Sequence, residues 1–331
     1  MSFRSTRVTA AAALTLGAAL LLSACSSAEP ATEAAPEATE SQTITFTDNH
    51  GEVEMESNPQ KVVALDNHVF ETLSSWDVPL VAAPKGLMGD VWPEYIEDDS
   101  IADVGTHRET NLEAIVAAEP ALIIGGYRFG DAYDDLVAQN PTATVIDIAP
   151  RDDEDLFDEL QRETTILGQI FGKEKQADDL NAALEDAIAG AKSEYNGTDS
   201  VMGLITSGGK IEFAAAGTGR SVGPVFPALD LVPAIDREAE DTSHGDDISV
   251  EAIADSNPEW IIVLDRDASF TEPEPGAVPA DELIAGSEAL ANVPAVQKDQ
   301  IVYLDPNFYL TEDIQAYTAL FEQIKAAFAA A

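Results

Sequence analysis

The 331-residue chain has one cysteine, four histidines and only 17 Lys and Arg side chains against 61 Asp and Glu. Each scarcity excludes something. With Cys25 alone, no internal disulfide can form. With a net charge of -44, no basic face is available for phosphate backbones, so nucleic acid is excluded as a partner. The acid excess reads instead as a solvated, self-repelling surface. No His-Glu-x-x-His helix, phosphate loop or Gly-x-Ser-x-Gly elbow is expected, and four scattered histidines leave few catalytic sets, so no enzyme is expected. Long apolar runs are also scarce. The one at residues 8–22 falls short of the roughly 20 residues of a comfortable membrane span.

That run is nonetheless informative. It follows Arg4 and Arg7 and ends in Leu22-Ser23-Ala24-Cys25, the charged start, apolar middle and small-residue end of an export signal. The ending looks like the lipobox of bacterial lipoproteins, which implies a signal peptide over 1–25 and a diacylglycerol on Cys25. Two acyl chains suffice for stable anchoring. Residues 26–42 (SSAEPATEAAPEATESQ) are small, acidic and Pro-containing. They cannot bury enough to fold and read as a flexible tether.

From residue 43 the pattern is α/β. A hairpin is expected over 43–55, around the turn signal Asp48-Asn-His-Gly51. Short apolar strands at 61–65, 80–83, 121–124 and 144–148 then alternate with helical spacings, which argues for a parallel sheet. A helix of nearly twenty residues follows within 153–172, then a second at 174–195. Strands recur at 201–205, 210–213, 260–264 and 301–304, and a terminal helix covers 312–328. Residues 111–124 echo residues 249–262: each is a capped helix, a Pro turn and an apolar strand. The expected architecture is two α/β lobes, 43–152 and 173–331, joined by the long helix at 153–172. A ligand would sit between the lobes, beyond the strand ends.

Several segments carry a resemblance: Val104-Gly-Thr, Ile205-Thr-Ser-Gly-Gly, Gly217-Thr-Gly-Arg220, His244-Gly-Asp-Asp-Ile-Ser249, Leu264-Asp-Arg266 and Tyr303-Leu-Asp-Pro-Asn-Phe-Tyr-Leu310. With the tether and the two lobes, they resemble the binding proteins of iron–siderophore and vitamin B12 ABC importers, and more narrowly the catecholate, petrobactin-receptor-like subgroup. The resemblance implies two Rossmann-like three-layer lobes, a monomer, no intrinsic cofactor, and capture of a ferric siderophore for delivery to the membrane permease. The protein would be lipid-anchored on the outer face of the cytoplasmic membrane. The alternatives are a haem or cobalamin carrier of the same family and, further off, a metal-dependent enzyme.

The resemblance also implies roles. His244 and Tyr309 match the positions of the protein ligands to Fe(III); a phenolate oxygen suits that hard ion and imidazole is tolerated. Arg128, Arg220 and Arg266 each follow the carboxyl end of an apolar strand, where α/β ligand sites form. Three planar cationic forks suit an anionic ferric catecholate. Arg220 sits slightly differently in its glycine loop from the family's pattern. Asp246, Asp247 and Asp267 are expected to crowd the pocket, where they would either orient the arginines or His244 or mark a less anionic ligand. Trp76, Trp92 and Trp260 read as packing residues, with the loop of Trp92 also a candidate for lining the cleft; His68 is a candidate for the cleft and His107 for its rim. Glu113 and Glu251, equivalent in the repeated helices, match the family's permease-docking acids.

Overall fold

A computed structural model describes residues 41–273 and 275–331. Cys25, the signal stretch and most of the spacer lie outside the described residues. The first lobe holds a five-stranded parallel sheet of Leu80–Ala83, Val62–Ala64, Leu122–Gly125 and Thr144–Asp147, with Ala102–Asp103 at one edge. Its strands are apolar on both faces, as a sheet covered by helices requires. Thus Val62, Ala64, Leu122 and Ile124 enter one core cluster, while Val63, Leu65 and Ile123 enter another. The hairpin Thr43–Asp48 with Gly51–Glu56 forms as expected and pairs in register, Thr43 opposite Glu56.

The second lobe repeats the plan with Ser200–Ser207, Trp260–Asp265 and Ile301–Tyr303 in parallel, and adds Lys210–Phe213 and Asp246–Asp247 antiparallel to its edge. The repeated units carry the same caps. Asn111 accepts from the Ala114 amide before the helix Leu112–Ala117, and Ser249 accepts from the Ala252 amide before the helix Val250–Ser256.

The helix Leu156–Phe171 is capped by Asp155 and closed by Gly172 in the left-handed region at φ 62°. Phe157 and Leu160 pack into the second lobe's core, whereas Ile166, Leu167, Ile170 and Phe171 pack into the first lobe's. The next helix, Glu174–Glu194, returns the same way, from Ala177 in the first core to Leu184, Ala187 and Ala191 in the second. Where one connecting helix was expected, two contribute to both cores. Against them lies the terminal helix Ile314–Ala330. Among the described residues, no helix is long and apolar enough to cross a membrane.

Candidate functional site

The strand Leu122–Gly125 runs into Gly126, whose φ of 96° and contact with the Asp147 carboxylate leave no room for a side chain. The chain turns sharply there and delivers Tyr127 and Arg128. Arg266 directly follows the strand Trp260–Asp265, and Arg220 lies in the loop after Lys210–Phe213. Tyr309 sits in the short helix Phe308–Thr311, just beyond Ile301–Tyr303. These strand ends open on one cavity of about 480 Å³. Its lining includes Arg128, Arg220, Arg266, His244 and Tyr309, with Arg108 and Phe270 beside them. All five expected ligand-binding residues therefore meet in one place.

Tyr309 is the hub. The guanidinium carbons of Arg220, Arg266 and Arg128 lie 4.2, 5.1 and 5.3 Å from its ring centroid, within cation–π range. Phe270 packs edge-on at 5.8 Å. Burial pushes the Tyr309 hydroxyl up, but Arg220, a hydrogen bond from Arg266 and the charge of Arg128 outweigh it, and the net shift is downward. Three cations thus favour a phenolate, the form that ligates a hard trivalent ion.

The arginines are held differently. Arg220 is nearly buried and forks onto Glu312, donating from Nε to Oε1 at 3.0 Å and from Nη2 to Oε2. Its Nη2 also donates to the Tyr127 hydroxyl at 2.7 Å, and that hydroxyl donates to Glu312 Oε2 at 3.1 Å. Burial raises the Glu312 carboxyl, but Arg220 outweighs it and holds it below the usual range. Tyr127, Ser221 and Glu312 have φ of 46°, 60° and 49°. Non-glycine residues in this region cost about 1 kcal/mol or more each, so the network is built against local backbone preference. Arg266 donates from Nη1 to Ser207 Oγ at 3.0 Å and lies 3.9 Å from Asp267. Arg128 has no carboxylate within ion-pair distance among the described residues, and its buried Nε has no hydrogen-bond partner.

His244 is half exposed in a loop fixed by two acids. Asp241 accepts from the amides of Ser243 and His244, and Asp246 accepts from the amides of Glu240 and Asp241. Ser243 Oγ lies 2.8 Å from His244 Nδ1. Engaging one ring nitrogen leaves the other for a metal and fixes the ring's orientation. His107 lines the same cavity; burial, then Arg128 and Arg108, lower its pKa.

Other expectations need correction. Asp246, Asp247 and Asp267 do not line the cavity. Asp246 pairs with Arg237 at 3.2 Å, and Asp267 accepts from the Gly208 amide. Trp92 is the expected packing residue, 1% exposed and edge-on to Phe70 at 5.2 Å, and it does not line the cavity. His68 is buried against Tyr127. The letters Gly219-Arg220-Ser221-Val222-Gly223 do fit the nucleophile-elbow pattern, contrary to expectation. Ser221 is nevertheless buried, and its hydroxyl donates to Glu312 rather than to a histidine, so it is not an activated nucleophile. Tyr127, Glu312, Phe270 and Arg108 are site residues the sequence did not single out. The position of Tyr127 between Gly126 and Arg128 was the one usable signal. Glu113 and Glu251 are exposed in the first turns of their repeated helices.

Residues 62–308 match the family of periplasmic binding proteins. The chain belongs to this family. Among curated relatives it is 24% identical over 318 residues to the petrobactin-binding protein YclQ of Bacillus subtilis, covering 94% of this chain and 96% of that protein. It is 26% identical over 296 residues to the ferric-anguibactin-binding protein FatB of Vibrio anguillarum, covering 87% and 90%. Among solved structures, the catecholate-siderophore binding protein VctP of Vibrio cholerae superposes with a TM-score of 0.71 at 25% identity, covering 88% of this chain and 100% of that one. These family members are binding proteins, not enzymes.

Proposed function

We propose that this chain is the substrate-binding lipoprotein of an ABC importer, that it captures an anionic ferric siderophore between its lobes, and that it hands the complex to the permease without chemistry of its own. The observation that carries the reading is the convergence of three guanidinium groups on one tyrosine whose hydroxyl is shifted toward the phenolate. Arg128 and Arg266 would clamp catecholate oxygens, and Arg220, held by Glu312, would set the shape and field of that wall. A bis-catechol ligand supplies four oxygens, so Tyr309 and His244 would complete six-coordination around Fe(III). Cys25 would carry the lipid that keeps the carrier at the outer face of the cytoplasmic membrane, and Glu113 and Glu251 would dock on the permease as a monomer presents them.

The test is calorimetric titration of the protein with ferric bis-catecholate, ferric tris-hydroxamate and haem. Tight binding of the anionic catecholate, weakening with salt, is expected. Binding of haem alone would overturn the reading.

A further inference from the structure

Asn67 lines the ligand cavity, but its chain neighbours Asp66 and His68 are 0% and 6% exposed. Nearly a hundred positions later, Glu163 projects from the middle of the helix Leu156–Phe171 and is 2% exposed. Each of the three offers a donor atom, and these atoms lie within 4.8 Å of one another. The environment does not satisfy them. Asp66 Oδ2, His68 Nδ1 and Glu163 Oε1 are all buried without a hydrogen-bond partner. Asp66 Oδ1 is committed elsewhere: it caps the helix Asn67–Ser75 by accepting the His68 amide at 2.9 Å. His68 Nδ1 lies 3.0 Å from that oxygen, an ion-pair contact.

Charge points the same way. Asp147 and Asp313 also bear on Glu163, and Arg162, the arginine that bears on it, gives its Nη2 donors to Glu159, Asn49 and the carbonyls of Ile148 and Ala149. Buried like charges with orphaned lone pairs are expensive unless a cation or proton compensates them. Two carboxylates and one imidazole within this span form a donor set that imidazole- and carboxylate-binding divalent ions accept, and one that lacks the thiolates softer ions prefer.

We propose that Asp66, His68 and Glu163 hold a structural divalent cation of the zinc or manganese class, distinct from the ferric cargo. The ion ties the first turn of Asn67–Ser75 to the helix shared by both lobes, and so fixes the turn that carries Asn67 into the cavity. The inference does not depend on which cargo the cavity takes.

The test uses the full chain in detergent, unfolded in denaturant with chelator and refolded with EDTA, ZnCl2, MnCl2 or CoCl2. Metal content is then measured by mass spectrometry and stability by thermal melting. About one equivalent of zinc or manganese should be retained, with a melting temperature several degrees above the EDTA sample. Glu163→Gln and His68→Gln should each fall below roughly a tenth of an equivalent, while His244→Ala should retain the ion. Should those variants fail to fold, visible absorption of the wild-type cobalt form still decides the question, since its absence would overturn the site. Retention of metal by Glu163→Gln would also overturn it. So would a wild type that takes up no metal while Glu163→Gln becomes more stable, because a shared proton would then hold the three groups.

Discussion

The two walls of the cavity are built from the same residue type in opposite ways. On the second-lobe wall, Arg220 is forked onto a buried carboxylate, shares it with Tyr127 and Ser221, and stacks on Tyr309. On the first-lobe wall, Arg128 stacks on Tyr127 and Tyr309 but has no acidic partner among the described residues. A cation already neutralised shapes a site; a cation without a partner is available to a ligand. The comparison can be broken by treating the two arginines alike. Arg220→Met should destabilise the fold by about 4 kcal/mol, because Glu312 is left buried and uncompensated. Arg220→Met/Glu312→Met should recover most of that loss, as read by denaturant melts. Arg128→Met should leave the melt nearly unchanged and instead weaken ferric catecholate binding by about 2 kcal/mol, roughly thirtyfold. Equal effects of the two single variants on stability would refute the division of roles.

The same contrast explains what could be read in advance. Arg128 and Arg266 were legible because each interrupts an otherwise cation-poor sequence directly after an apolar strand, where the topology fixes what a side chain can reach. Glu312 was not, since one acid among 61 carries no signal until the fold brings it to Arg220. Tyr127 depended on a turn whose positive φ angles arise only once Gly126 is pressed against Asp147. Trp92 was legible as a packing residue, but its partner Phe70 was not, because that contact is tertiary and no local pattern records it. The long helix was legible from its period. That the next helix spans both cores was not, because periodicity gives the apolar face and not its partner.

Behind the second-lobe wall the contrast continues one residue on. Glu312 has its arginine and stays charged, whereas Asp313 is 1% exposed with Oδ2 unpartnered, and burial pushes it up to about 7. Between its ordinary value of 3.8 and about 7 the folded state binds the proton more tightly than the unfolded chain does. Stability is therefore highest at low pH in this window and is lost as pH rises toward 7. Buried Glu163 and His68, both raised, have the same sign. The protein in EDTA should thus be more stable at pH 5.5 than at pH 8. Asp313→Asn imitates the protonated acid and still caps the helix Ile314–Ala330, so it should shrink that difference by about 2 kcal/mol. An unchanged difference would mean that Asp313 is not the proton-binding group.

His244 gives the smallest and most selective effect. It is the one candidate ligand that stays half exposed, held through Ser243 and Asp241 rather than packed like Tyr309. Its removal should leave the melt and the arginine field untouched. What it alone would contribute is one donor to an iron with vacant coordination positions. His244→Ala should therefore weaken a tetradentate ferric bis-catecholate by about tenfold, 1.4 kcal/mol, and leave a hexadentate tris-catecholate within about twofold of wild type, because that ligand already fills all six positions. Tyr309→Phe should not discriminate as cleanly, since the hydroxyl also faces the three arginines, and a hexadentate anion would still sense the altered field. If both variants lose both ligands in equal proportion, His244 is a rim residue and the iron takes no donor from the protein on that side.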